Sequence, residues 1–324
     1  MHPFMARGLL AFALVLGAHS AFAQDANYPS KPIRIVVGFA AGGGNDIFAR
    51  VVGQKMSEII GQTVIIENKP GAGARLAADY VAREPADGYT LLVTASGGMS
   101  IAAAVYPKLN YHPTKSFVPV TMIANFPLIL AVPATSSIKS VKELVDYAKA
   151  NPAKANYPST SPAFTITSEL LKLKTGMPGV MIPYKSSNEM MLSIAAEQTL
   201  YAFADGPPTM PLVHGGRIRA IGVTGDKRAP ELPDVPSMSE SGFPDVDVHL
   251  WSGVFAPAGT PAAIVKKLED ALRAAIKDPA VNDKLKAMAV TPGGNSSADF
   301  RAMIDADINK FAEVAKAANL KFDD

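Results

Sequence analysis

The segment from Lys31 to Arg50 constrains this chain more than any other. An apolar strand, Ile33 to Val37, runs into the glycine turn Gly42-Gly43-Gly44. A helix follows with Ile47, Phe48, Val51, Val52, Met56, Ile59 and Ile60 on one face. A helix entered this way offers backbone N–H groups at its positive end, where an anion can be received. The competing reading is steric: glycine simply relieves crowding in a tight strand-to-helix connection. The rest of the chain decides between them.

The same grammar recurs. Thr63 to Glu67 reads as a second strand, Asn68 to Gly73 as a turn and Ala74 to Arg83 as a short helix. Thr90 to Thr94 is a third strand, leading into Ser96-Gly97-Gly98 and another helix start. Strands followed by small-residue loops and helices imply a parallel sheet with helices on its faces, and ligands of such sheets sit beyond the strand C-termini. The loops at 40–45, 70–73 and 95–98 would gather there. Val118 to Ile123 and Leu128 to Val132 read as strands that carry the chain into a second lobe. There the pattern resumes: helix 141–150, strand 155–157, loop Ser159-Thr160-Ser161, helix 165–174, strand 180–182, helix 189–196, and strands 200–204 and 220–223. The proline-containing stretch 229–243 is an extended connector, and Val246 to Pro257 a returning strand. Thr260-Pro261 starts a helix with a capping hydroxyl and a first-turn proline, and a last helix begins near Ser297. The expected fold is α/β and two-lobed, each lobe a mainly parallel sheet flanked by helices and hinged by crossing strands. Lobe 1 comprises residues 24–124 with 248–324, and lobe 2 residues 125–247.

The N-terminus has one basic residue, Arg7, an apolar run from Gly8 to Ala18, and Ala21-Phe22-Ala23. This is the pattern of a secretory leader cut before Gln24. The run is too short for a permanent membrane span. Loss of the leader leaves 301 residues and takes the formal charge from +2 to +1, a balance that argues against nucleic-acid or membrane-surface partners. With no cysteine, disulfides, thiolate metal sites and a cysteine nucleophile are excluded. Of five histidines, His112, His214 and His249 lie beyond the leader, none in a metal spacing. There is no G-x-S-x-G turn, no phosphate loop, and Ile47 stands where a dinucleotide fingerprint needs its third glycine. A cofactor-free enzyme is therefore the weakest function class, and no cofactor or metal is expected.

Seven segments in order give the chain a resemblance over its whole mature length. They are Tyr28–Ile33, Phe39–Asp46, Glu67–Gly73, Ala86–Leu92, Pro183–Lys185, Leu232–Pro236 and Phe255–Pro261. The chain resembles the exported Bug or TctC-like substrate-binding proteins of tripartite tricarboxylate transporters. The resemblance implies a monomeric two-lobed periplasmic clamp around a small carboxylate, which it hands to a two-component membrane permease. A periplasmic sensor that docks to a signalling receptor would use the same binding chemistry. In this family first-lobe loops hold one carboxylate through backbone amides and bridging waters, and second-lobe loops read the rest of the ligand.

Phe39, Ala40, Gly43, Gly44, Asn45, Asp46, Gly73, Ser96 and Gly97 are the first-lobe candidates for ligand contact, with Arg75 a possible partner for a second carboxylate. The second lobe offers Ser159, Thr160, Ser161, Ala163, Phe164, Tyr184 and Asp205, the last standing where the family usually has Asp-Asn. Phe39 and Phe164 either stack on the ligand or pack. Asp46 fits better as an organiser of turn amides than as a contact to an anion, and Trp251 fits better in the core than in the cleft. A branched side chain at Gly43 is expected to block the anion. The chain departs from the family pattern at Asn45, Ala74-Arg75, Ser161–Ile166 and Ser186, all in loops that would read the ligand.

Overall fold

The computed structural model describes residues 28–317; the leader at 1–23 lies outside the described residues. In chain order the elements begin β1 (Ile33–Val37), α1 (Gly44–Ile60), β2 (Val64–Asn68), α2 (Arg75–Val81), β3 (Thr90–Ala95), α3 (Ser100–Val105), β4 (Phe117–Pro127) and β5 (Ile129–Pro133). The chain continues through α4 (Val141–Ala150), β6 (Asn156–Ser159), α5 (Pro162–Thr175), β7 (Val180–Pro183), α6 (Ser187–Ala195), β8 (Ala202–Ala204), α7 (Gly206–His214) and β9 (Ile218–Val223). It ends with β10 (His249–Pro257), α8 (Ala262–Lys277), α9 (Pro279–Lys286), β11 (Thr291–Pro292) and α10 (Ser297–Ala317).

The two-lobed α/β architecture is the one expected. One six-stranded sheet has the order β11-β4-β10-β3-β1-β2; the other lobe holds a three-stranded sheet, β8-β5-β9, and the pair β6-β7. The pairing sense departs from the mainly parallel expectation. β1 runs parallel to β2 and β3, and β6 to β7, but β10 is antiparallel to both β3 and β4, and β5 to both β8 and β9. The cause is the crossing itself. β4 leaves the first sheet and leads within two residues into β5, while β10 returns beside β4, paired from His249–Pro127 to Pro257–Phe117. The connection between the lobes is thus a two-stranded antiparallel ribbon.

Burial explains the local choices. β1 and β3 are covered on both faces, so they read as continuous apolar runs rather than alternating ones. α1 buries Phe48, Ala49, Val52 and Met56, whereas Ile59 from the expected face is 44% exposed. α1 ends at Gly61, whose φ of +67° is the left-handed cap that glycine adopts without strain. α4 and α6 each begin with a capping box. Ser140 and Ser186 accept from the N–H groups of Glu143 and Glu189, whose carboxylates reach back to the N–H groups of Lys139 and Lys185. Trp251 packs in the core at 5.0 Å from the Phe300 ring and donates its indole N–H to Asp307.

Candidate functional site

The strand ends of both lobes meet at one cleft. Its walls are Phe39, Gly43, Gly44, Asn45, Ala95 and Gly97 from the first sheet, and Thr160, Ser161, Ala163, Phe164, Ser187 and Asp205 from the second lobe. Phe126 and Leu250 of the hinge ribbon close it. The N-termini of four helices point here: α1 through Gly43 and Gly44, α5 through Ser161, α6 through Ser187 and α7 through Asp205. At α1 and α5 the N-cap residue makes no side-chain cap, so those ends keep donor capacity for something else; α7 also lacks one, but Pro207 and Pro208 leave its first turn only the Gly206 N–H. None of the lining residues is Lys, Arg or His. Among the described residues there is no cluster of His, Asp or Glu able to hold a metal ion.

The α1 turn is built rigidly. The Asp46 carboxylate accepts from the Gly42 N–H at 2.9 Å, from Arg50 Nε at 3.0 Å and from Asn68 Nδ2 at 2.9 Å, while Asn68 Nδ2 also donates to the Phe39 carbonyl at 3.0 Å. Burial opposes ionisation of Asp46, but the hydrogen bonds from Arg50, Gly42 and Asn68 outweigh it and hold its carboxyl below the ordinary value. Asp46 therefore points away from the cleft and orients the turn. Asn45 is fixed by Ser252 Oγ, which donates to its Oδ1 at 2.7 Å.

The lobes are closed against each other. The Gly44 N–H donates to Ser187 Oγ at 3.3 Å, and Asp205 lies so near that a β-carbon on Gly44 would fall 1.7 Å from its Oδ2. The enclosed space is about 20 Å³, room for roughly one water molecule. Asp205 is 3% exposed, and burial pushes its carboxyl up to about 6 against hydrogen bonds from Ser187, its own N–H and the Gly44 N–H. Its Oδ1 and Thr160 Oγ1 are both buried with no hydrogen-bond partner among the described residues.

Ten of the seventeen candidates thus line the cleft: Phe39, Gly43, Gly44, Asn45, Gly97, Thr160, Ser161, Ala163, Phe164 and Asp205. The others surround it. Ala40 accepts from the Gly43 N–H, Asp46 holds the turn, and Gly73 packs against Ser161 and Pro162 across the lobe contact. Ser96 Oγ faces the Trp251 N–H, Ser159 Oγ donates to the Ser161 carbonyl, and Tyr184 packs on the core beside β6. Arg75 is placed elsewhere: Nε donates to the Ala72 carbonyl and the guanidinium lies 3.7 Å from the Tyr106 ring centre, which leaves it out of the lining. Gly43 also differs from expectation. Its φ is −78° and an added β-carbon would meet only ordinary contacts at 3.4–3.6 Å, so the close approach falls on Gly44.

Sequence reasoning missed Ser187, Phe126 and Leu250 as lining residues, and placed the loop that holds Ala95 at the site without singling that residue out. Ser187 was signalled by the capping box Ser186-x-x-Glu189, which starts a helix at that residue. Phe126 and Leu250 flank the two chain crossings, so any closed clamp brings them to its hinge.

Comparison with known proteins places the chain in a family and agrees with its fold. Residues 48–320 match the sequence profile described as tripartite tricarboxylate transporter family receptor. The periplasmic binding protein BugD superposes with a TM-score of 0.87 at 32% identity, covering 91% of this chain and 99% of its own. A Rhodopseudomonas palustris protein solved with adipate gives 0.85 at 32%, covering 90% and 98%. MatC of Rhodopseudomonas palustris, solved with bound malate, gives 0.85 at 28%, covering 89% and 99%.

Proposed function

The chain belongs to the tripartite tricarboxylate transporter receptor family, and from that premise we propose that it captures a small carboxylate between its lobes and delivers it to a two-component membrane permease. The observation that carries this reading is the convergence of four helix N-termini on a cleft lined by no cationic side chain. Each end carries partial positive charge, and those of α1, α5 and α6 present oriented N–H groups, whereas Pro207 and Pro208 leave α7 only the Gly206 N–H in its first turn, so an anion is neutralised by fixed dipoles rather than by a salt bridge. Closure strengthens these interactions by excluding water, and the β4–β10 ribbon is the hinge about which the lobes move. Relatives solved with adipate and malate make aliphatic carboxylates the first class to test.

In this reading residues 1–23 direct export to the periplasm, residues 24–124 with 248–324 form one lobe and 125–247 the other, and the mature protein works as a monomer. Among the described residues no helix is long and apolar enough to cross a membrane. A thermal-shift screen of the mature protein over a carboxylate library tests the proposal. A ligand at about 100 times its Kd stabilises the native state by about 2.7 kcal/mol, an easily read rise in melting temperature. At least one small carboxylate should produce it and the matching primary amide should not. A library without a single carboxylate hit refutes the reading.

A further inference from the structure

Asp205 places a negative charge where the ligand is expected to bring another. It lines the cleft and is 3% exposed, its Oδ2 lies against Gly44 at the start of α1, and its Oδ1 is buried with no partner among the described residues. As the N-cap of α7 it has no cap to make on its own helix, because Pro207 and Pro208 stand at the second and third helical positions and carry no N–H, and it reaches across to the other lobe instead. It is the one ionisable side chain of the lining. A ligand carboxylate entering alone would meet a like charge in a closed space, with only helix-end dipoles and no arginine or lysine to offset the pair.

Resting on the carboxylate reading of the cleft, we propose that Asp205 is the specificity-determining residue for a hydrogen-bond donor next to the ligand's carboxylate, and that the preferred ligands are α-amino acids whose ammonium group it accepts through Oδ1. The geometry favours two opposite charges on one carbon. Donors from the α1 and α5 ends and the Thr160 hydroxyl stand on the same small cleft as the Asp205 acceptor, so carboxylate and ammonium are received side by side. The zwitterion brings its own counter-charge and leaves no buried oxygen of Asp205 unpaired. The large side chains of the wall are Phe39, Phe126, Phe164 and Leu250, and apart from Asp205 and Thr160 only the neutral Asn45, Ser161 and Ser187 beside them are polar, which suits an apolar side chain better than a second carboxylate. Arg75, the natural reader of a second carboxylate, is held against Tyr106 outside the lining. A 2-hydroxy acid supplies a weaker, neutral donor to the same oxygen, and an acid with plain CH₂ at that position supplies none.

The test is calorimetric titration of the mature protein with two matched series that differ only at carbon 2. One is leucine, 2-hydroxy-4-methylpentanoate and 4-methylpentanoate; the other is aspartate, malate and succinate. The expected order in each series is amino, then hydroxy, then unsubstituted, with about 10-fold or more between the first and last, the value of a charged buried hydrogen bond. The leucine series should bind more tightly than the aspartate series. In Asp205→Asn the amino compound should lose that advantage while the unsubstituted acid binds as well or better. The wild-type ratios decide alone if this variant does not fold. Unsubstituted acids binding as tightly as amino acids to the wild-type protein overturn the inference and leave carboxylate capture intact. Failure of all six compounds while another carboxylate binds also overturns it. Failure of every carboxylate refutes the function on which it rests.

Discussion

Gly44→Ala should open the clamp without harming the fold. In the closed structure the added β-carbon would stand 1.7 Å from Asp205 Oδ2 and 2.9 Å from its Cγ, so the walls must separate locally by at least about 1.5 Å. Separation breaks the 3.3 Å hydrogen bond from the Gly44 N–H to Ser187, worth about 1 kcal/mol. It also moves the buried Asp205 carboxylate off the α1 N-terminus, worth about 1–2 kcal/mol in a buried geometry. The closing equilibrium should therefore shift by about 2–3 kcal/mol, or roughly 30- to 140-fold. Gly44 has no positive φ and is helical, where alanine is favoured over glycine by about 1 kcal/mol, so the melting temperature should hold or rise. Because the chain has no cysteine, two can be introduced at exposed Gln54 and Lys185 for spin labels, and the distance distribution read by pulsed electron resonance. Gly44→Ala should lengthen it, Gly43→Ala should not, and adding Asp205→Ala should restore the closed distance, since the clash partner is then gone. A Gly44→Ala distribution that superposes on wild type would show that these walls are not what closure brings together.

Asp46→Asn should lower the melting temperature at neutral pH by several degrees, because a buried carboxylate with hydrogen bonds from Arg50, Gly42 and Asn68 is worth about 2 kcal/mol more than an amide there. Its folded-state pKa lies below the unfolded value, so this stabilisation is complete above about pH 4 and disappears as pH falls through the folded value; the difference between variant and wild type, followed by calorimetry, should shrink on acidification. Gly253→Ala should cost about 1–3 kcal/mol by overpacking, since its β-carbon would lie 2.3 Å from the Phe300 ring. Chemical denaturation of this variant at unchanged stability would mean that the β10–α10 contact is looser than described.

What was legible in the sequence was local. The strand–glycine–helix unit at Ile33–Ile60 announced itself because period, turn and cap all lie within thirty residues, and the turn-organising role of Asp46 followed from its place in the first helical turn. Strand direction was not legible. A strand buried on both faces reads as the same apolar run beside a parallel or an antiparallel neighbour, so nothing in Leu91–Val93 announces that its partner β10 runs the other way. Arg75 misled because it follows the Pro70–Gly73 turn immediately, while its destination, the Tyr106 ring, lies thirty-one residues downstream. Phe126 and Leu250 are cross-strand partners of the β4–β10 ribbon, more than 120 residues apart in sequence, and Ser187 joins them only where the lobes meet. Asp205 was visible solely through resemblance, since a lone aspartate before Gly-Pro-Pro otherwise reads as an ordinary turn residue at a helix start.

The first-lobe wall owes its shape to missing side chains. Gly44, Gly73 and Gly97 follow three different strands, yet all three meet the second lobe. Their hypothetical β-carbons would lie 1.7 Å from Asp205, 3.2 Å from Pro162 and 2.9 Å from Ser161 Oγ. Backbone conformation demands glycine only at Gly73, where φ is +62°; at Gly44 and Gly97 no positive φ requires it, and close approach is the remaining reason. A wall of bare backbone lets the opposing helix ends come within hydrogen-bond reach of main-chain N–H groups instead of side chains. Those groups are fixed by the sheet, carry no rotamer entropy to lose and need no deprotonation or desolvated cation to hold an anion. The same choice makes release easy: an anion held by dipoles loses most of its binding energy as soon as water enters the parting lobes, whereas a buried salt bridge would hold it to one lobe after opening. Under the proposed reading closure and affinity are one event, and Asp205 on the opposite wall is the residue proposed to set ligand choice.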